Sequence, residues 1–407
     1  MWCFRLIAIG CLAASFSSGQ TSDPAEQAQR ASELVAQGKA DEAAAIYARL
    51  VQRYPGRPEL LLNLCIAEFK AKRYQQAMTH ASDALKLNPN LAPADLFLGA
   101  SYLQSGQTAL AVEPLQKALA AMPADHNAHL MLGDALLGSK RLEEALQQFQ
   151  QTSKLLPQSP KAWYGLGEVY DQLFESCRSQ VHETAPVPAG TDSAAGSYVK
   201  CKSYSEQAVQ AYEKLAALPP SLESHLYAAK KLDAQGRYRE AAAEWRTSME
   251  LAPDNIEAEM GLAWALYRRR DYEPAMAVLK RILERDPLGA EANFLYGASL
   301  LNMEQPDAAI PYLQTALKRD PELRVADAAL GQALLRTGKP REAIPYLRAA
   351  IPNDEDGNAH YQLFRAYQET GATELAKQAL AEYQTRRASA LEKRAAGDRS
   401  GVRVPGN

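Results

Sequence analysis

Small and large apolar residues alternate along this chain with a nearly constant interval. Alanine stands at positions 43, 77, 111, 145, 208, 241, 275, 309, 343 and 376, in steps of 34, 34, 34, 63, 33, 34, 34, 34 and 33 residues. The long step is one period plus 29 residues. Four residues after most of these alanines comes a large apolar side chain: Tyr47, Leu115, Phe149, Tyr212, Trp245, Leu279, Leu313, Leu347 and Leu380. Twelve residues before them, allowing for the 29 extra residues, come Ala31, Cys65, Gly99, Gly133, Gly167, Ala229, Ala263, Gly297 and Gly331, and only Phe364 departs. Apolar positions three and four apart are helical spacing, and a 34-residue period accommodates two helices. The pattern predicts an all-α array of helix pairs beginning near residues 24, 58, 92, 126, 160, 222, 256, 290, 324 and 357. A small residue on the first helix facing alanine on the second lets the two cross closely, while large neighbours fill the space around the crossing. Gly38, Gly106, Gly138, Gly236, Gly338 and Gly371 fall where the turns between paired helices are expected, and Asn88-Pro89, Asp286-Pro287 and Asp320-Pro321 end second helices.

The most complete first helix runs Trp163, Tyr164, Gly165, Leu166, Gly167, Glu168, Val169, Tyr170, and its pattern resumes at Ala208, Tyr212, Leu215 and Pro220. With nine further copies in register, the chain resembles the tetratricopeptide repeat (TPR) family, of a secreted or periplasmic type. The resemblance covers residues 24 to 384 and implies an α-solenoid of about ten helix-turn-helix repeats forming a right-handed superhelix. It divides the chain into four repeats and the first helix of a fifth (24–174), a Pro-, Gly-, Ser- and Ala-rich insertion loop (175–203), the rest of the fifth repeat through the tenth (204–384), a polar capping helix (385–396) and a disordered tail (397–407).

In this family the second, fifth, ninth and twelfth positions of each first helix line a concave groove. Here those positions are apolar to an unusual degree: Leu62, Ile66, Phe69, Leu96, Leu103, Leu130, Leu137, Tyr164, Met260, Trp264, Tyr267, Phe294, Leu301 and Tyr361, with Glu168, Asp171, Lys230 and Asp233 as polar exceptions. One expectation is a groove that takes a protein or peptide partner in extended or helical form, anchored near Trp264. The competing expectation is that stacking of adjacent first helices buries these side chains. A Lys–Asn carboxylate clamp, which some relatives use at the fifth and ninth positions, is absent, since those pairs read Leu62/Ile66, Leu96/Ala100, Leu130/Asp134 and Met260/Trp264.

Charge, cysteine content and the N-terminus refine the picture. A net charge of −3 argues against nucleic acid as partner. Residues 1–19 read as a signal peptide, with Arg5, an apolar run from Leu6 to Phe16, and Ser17-Ser18-Gly19 before Gln20. The location expected is therefore secreted or periplasmic, with lipid attachment at Cys11 as the alternative. No stretch is long and apolar enough for a transmembrane helix. Cys65 occupies a small-residue slot and is expected to be a buried thiol. Cys177 and Cys201 are expected to pair in an oxidising compartment, closing a loop worth about 3.5 kcal/mol by chain entropy.

No catalytic constellation, cofactor motif or metal-ligand spacing stands out among His80, His126, His129, His182, His225 and His360 or beside them. The sequence thus points to a non-enzymatic scaffold outside the cytoplasm that needs no cofactor. Self-association through repeat ends is the alternative, and an accessory subunit of an enzyme complex comes third.

Overall fold

The computed structural model describes residues 23–183 and 192–400, so the expected signal segment, Cys11 and residues 401–407 lie outside the described residues. The chain divides after Pro219 into two compact units. The first holds α1 (Pro24–Ala36), α2 (Ala40–Arg53), α3 (Pro58–Lys70), α4 (Tyr74–Leu87), α5 (Ala92–Gln104), α6 (Thr108–Ala121), α7 (His126–Gly138), α8 (Leu142–Leu155), α9 (Pro160–Glu183) and α10 (Asp192–Ala216). The second holds α11 (Leu222–Ala234), α12 (Tyr238–Leu251), α13 (Ile256–Arg268), α14 (Tyr272–Arg285), α15 (Ala290–Asn302), α16 (Pro306–Arg319), α17 (Arg324–Arg336), α18 (Pro340–Ala350), α19 (Asn358–Glu369) and α20 (Thr373–Ser400), with a single 3-10 turn at Ile351–Asn353. Within each unit every helix packs on its neighbours in sequence, and first helices also meet across pairs, as α5 meets α3 and α7. Among the described residues there is no strand. The architecture is an all-α solenoid of helix pairs.

The crossing inside each pair differs in one detail from the sequence expectation. What lies over the glycine of the first helix is the large side chain four residues beyond the alanine of the second. A Cβ added at Gly99 would stand 2.5 Å from Leu115 Cγ, at Gly331 2.5 Å from Leu347 Cγ, and at Gly167 2.3 Å from the Tyr212 ring. The same large side chain also meets the next pair where it is aromatic. A Cβ at Gly165 would come within 2.5 Å of the Phe149 ring, and one at Gly261 within 2.3 Å of the Trp245 indole. Each of these rings therefore occupies a slot opened by a missing methyl group on the following first helix. Trp245 is further fixed by its indole N–H, which donates to Asp233 Oδ2 at 2.8 Å.

The turns inside pairs need one left-handed residue each. Gly38, Gly106, Gly236, Gly338 and Gly371 supply it, and Lys72, Lys140, Arg270 and Glu304 adopt it at the equivalent places despite their side chains. Gly138, expected as a turn residue, instead ends α7, where a Cβ would stand 2.7 Å from Thr108 Cγ2.

Two segments differ from their expected form. Helix occupies both ends of 175–203, because α9 continues to Glu183 and α10 starts at Asp192; residues 184–191 lie outside the described residues. The sequence explains this, since the helix-breaking Pro186 and Pro188 fall between those two ends and none falls within them. Cys177 and Cys201 are joined by a disulfide with Cα atoms 5.6 Å apart, tying the lengthened helices together. At the other end, 385–396 is no separate cap: α20 passes through it and on to Ser400 without a break. Its Tyr383 ring lies 5.1 Å from that of Tyr361, and Arg386 Nη1 donates to the Asp354 carbonyl at 3.0 Å.

Cys65 is buried, and burial together with nearby Glu68 pushes its thiol well above the ordinary range, as suits a structural position. Glu68 also lies 2.7 Å from His80 Nδ1, linking α3 to α4. That hydrogen bond raises the His80 pKa above its ordinary value, against a smaller lowering by burial.

Two outcomes follow. Gly261→Ala gains roughly 0.5–1 kcal/mol of helix preference but forces the anchored Trp245 ring aside at roughly 1–3 kcal/mol. Guanidinium unfolding should show a lower midpoint for the variant, and an unchanged or higher midpoint would show that the slot has slack. For His80, a raised folded pKa means that the pair stabilises fully below the unfolded value and loses its contribution as pH rises through the folded one. The unfolding free energy of the wild type minus that of His80→Gln should therefore shrink as pH rises from below to above the ordinary histidine value of about 6.5; a difference that grows with pH would contradict it.

Candidate protein-binding surface

The exposed side of the first helices is built from what stacking leaves over. Of the residues expected to line it, Leu62 (2% exposed), Leu96 (3%), Leu130 (9%) and Phe294 (7%) are buried between neighbouring helices. Their apolar surface is used by the array itself. Ile66, Phe69, Tyr164, Met260, Trp264 and Tyr267 remain partly exposed.

In the first unit Ile66 and Phe69 rest against the core around Leu62, Cys65 and Phe97. The Phe69 ring lies 5.6 Å from those of Phe97 and Tyr74. Tyr164 lies on α9 and is not part of that cluster.

In the second unit the structure gathers the strongest candidates. The Trp264 ring meets Tyr267 edge-on at 6.0 Å and Phe294 at 6.0 Å, and Met260 packs against the same core. The Arg268 guanidinium carbon lies 5.6 Å from the Trp264 ring and 5.4 Å from that of Tyr238, within cation–π range. The Trp264 indole N–H donates to Glu291 Oε1 at 2.6 Å, and Asn302 donates to the Tyr267 hydroxyl at 3.2 Å. Burial pushes the Tyr267 phenol above its ordinary range, so it stays neutral. The result is a shelf of rings held by polar partners, with Trp264 partly exposed.

The polar exceptions on this side are engaged within the array. The Tyr212 hydroxyl lies 2.9 Å from Asp171 Oδ2 and 3.1 Å from Glu168 Oε1; burial, reinforced by the two carboxylates, drives its pKa far up. Asp233 accepts from Trp245, and its own carboxyl is raised, chiefly by burial. Lys230 pairs with Glu257 at 2.5 Å, and Asp134 with Lys161 at 2.7 Å. These last two pairs and Trp264–Glu291 share one register. In each, the ninth position of a first helix reaches the second position of the next, 27 residues on. The sequence reading missed Glu257, Glu291, Lys161 and Arg268 as parts of this surface. Complementary residues recurring at a 27-residue offset were the signal that could have found all but Arg268.

A family model described as tetratricopeptide repeat matches residues 34–98, 102–169 and 232–295, and a second of the same description matches 294–358. Together they span well over half of the chain. The chain belongs to the tetratricopeptide repeat family. Solved TPR structures resemble it over part of its length. MamA 41-end from Desulfovibrio magneticus RS-1 is 26% identical, covering 46% of this chain and 98% of that one at a TM-score of 0.36. A MamA RS-1 double mutant is 24% identical, covering 46% of this chain and 97% of that one, also at 0.36. YrrB, described as a TPR protein with an unusual peptide-binding site, is 17% identical, covering 58% of this chain and 90% of that one at 0.37. No curated protein matches the chain.

TPR arrays are protein-interaction scaffolds and are generally non-enzymatic. Among the described residues no three His, Cys, Asp or Glu side chains are grouped as a metal site would require, and no helix is long and apolar enough to cross a membrane. His129 has Nδ1 2.8 Å from Gln148 Oε1 and Nε2 3.1 Å from the Pro123 carbonyl.

The division into used and unused face residues is measurable. Phe294→Ala should cost about 3–5 kcal/mol of stability in the second unit, and Leu96→Ala about 2–5 kcal/mol in the first. Denaturant titration of each variant checks this; losses below about 1 kcal/mol would return both residues to the open surface.

Proposed function

We propose that this protein is a non-enzymatic scaffold acting outside the cytoplasm, and that it holds a partner segment on the first-helix face of its second unit. The observation that carries the reading is the ring cluster of Trp264, Tyr267 and Phe294. Phe294 is the buried floor, Tyr267 the wall, and Trp264 the partly exposed anchor. Aromatic anchors of this kind dominate binding energy at protein interfaces. Glu291 and Arg268 hold the indole in place, so little side-chain freedom remains to be lost when a partner docks. The surface offers grip, with its polar atoms already committed, and presents no nucleophile paired with a base.

The location rests on two features. Residues 1–19 have the composition of a signal peptide. The Cys177–Cys201 disulfide is a bond that persists in oxidising compartments. Self-association through the N-terminal repeat end is disfavoured by the charges that α1 presents there, Glu26, Arg30 and Glu33.

The test uses chemical crosslinking and capture from the extracytoplasmic fraction of the native cells. Trp264→Ala should lose the captured partner while its unfolding midpoint falls less than that of Phe294→Ala. Unchanged capture, or loss of capture only together with loss of fold, would overturn the assignment of the site.

A further inference from the structure

The outer face of the first repeat departs from the pattern of the second. In α3, Leu60, Leu64 and Ala67 pack on Ala43, Tyr47 and Leu50 of α2. The residues 34 positions earlier, in α1, are Glu26, Arg30 and Glu33. Charge thus replaces the apolar stacking surface, as solubility of a terminal repeat requires. Solubility alone does not explain the sign of the charge around the cleft on this face. That cleft, about 510 Å³ between α1 and α2, is lined by Arg30, Arg49, Arg53, Glu26, Ile46 and Leu50, among others.

Arg49 and Arg53 are one helical turn apart and share a face of α2, and Arg30 approaches from α1. All three are exposed. Among the described residues no ion pair engages any of them, and the Arg53 guanidinium lies 5.7 Å from the Tyr54 ring. Three like charges converge against one carboxylate, Glu26, which leaves an excess of two. The floor is aliphatic, with Leu50 buried and Ile46 half-buried. We propose that this cleft binds an acidic peptide segment, with an apolar side chain set on Ile46 and Leu50 and flanking carboxylates bridged by Arg30, Arg49 and Arg53. Guanidinium groups pair with carboxylates in two-point hydrogen bonds, which suits this spacing. The lining offers no aromatic ring on which a base could stack, which favours peptide over single-stranded nucleic acid. Residues 1–22 carry only one charged side chain, Arg5, of the wrong sign to fill the cleft themselves.

Fluorescence anisotropy with a labelled EELLEE hexapeptide and its QQLLQQ counterpart tests this on the full mature chain. The acidic peptide should bind roughly tenfold more tightly than the neutral one, and Arg49→Gln with Arg53→Gln should remove that preference. Binding should weaken with added salt and be unaffected by Trp264→Ala. Arg30→Gln provides a second variant in case the double change disturbs the fold, which circular dichroism monitors. Equal binding of both peptides, absence of binding, insensitivity to every arginine variant, or loss on Trp264→Ala would overturn the proposal. So would an oligothymidylate that binds more tightly than the peptide and depends on the same arginines.

Discussion

In the pairs that carry glycine at the crossing, the distance between helices is set where a residue without a side chain lies beneath a large one. At Gly99, Gly167 and Gly331 a single added carbon would fall 2.3–2.5 Å from its neighbour, well inside van der Waals contact. A close-packed interior transmits that constraint, because there is no slack to absorb a misfit. Phe149 and Trp245 extend it from one pair to the next, since each ring also needs the glycine that follows, Gly165 or Gly261. Spacing within pairs and spacing between pairs are thus governed by the same side chains.

Stacking draws on the same apolar residues that the proposed partner site would use. The array takes Leu62, Leu96, Leu130 and Phe294 into its interior, and what remains outside is scattered except in the second unit. There Trp264 stays partly exposed, with Tyr267 edge-on to it, the guanidinium of Arg268 beside its ring and its N–H on Glu291. The polar residues on this side join successive first helices, as Asp134 joins Lys161 and Lys230 joins Glu257. Such exposed pairs add little stability; their effect is to fix which side chains face outward.

The pair architecture was legible because its cause is local and repeated. A glycine or alanine at one slot and a large residue at another appear in almost every period, so the register survives the 29 extra residues before Ala208. The helical ends of 175–203 were hidden by the loop-like composition of the stretch as a whole, although its prolines sit only at 186 and 188. The proposed binding face was only half legible. Leu96 and Met260 occupy the same position in their repeats, yet one is sealed and the other partly open, because exposure depends on the adjacent first helix. The cleft with Arg30, Arg49 and Arg53 was not seen at all, since its residues come from two helices with no common spacing.

The proposed docking of a partner on the first-helix face of the second unit is open to direct test. Site-directed photocrosslinking tests it most directly, with a photoreactive amino acid placed at Tyr267 in one protein and at Glu250, exposed on the second helix α12, in another. A specific crosslinked partner is expected from position 267 and none from position 250. The same partner captured from both positions, or from 250 alone, would contradict it.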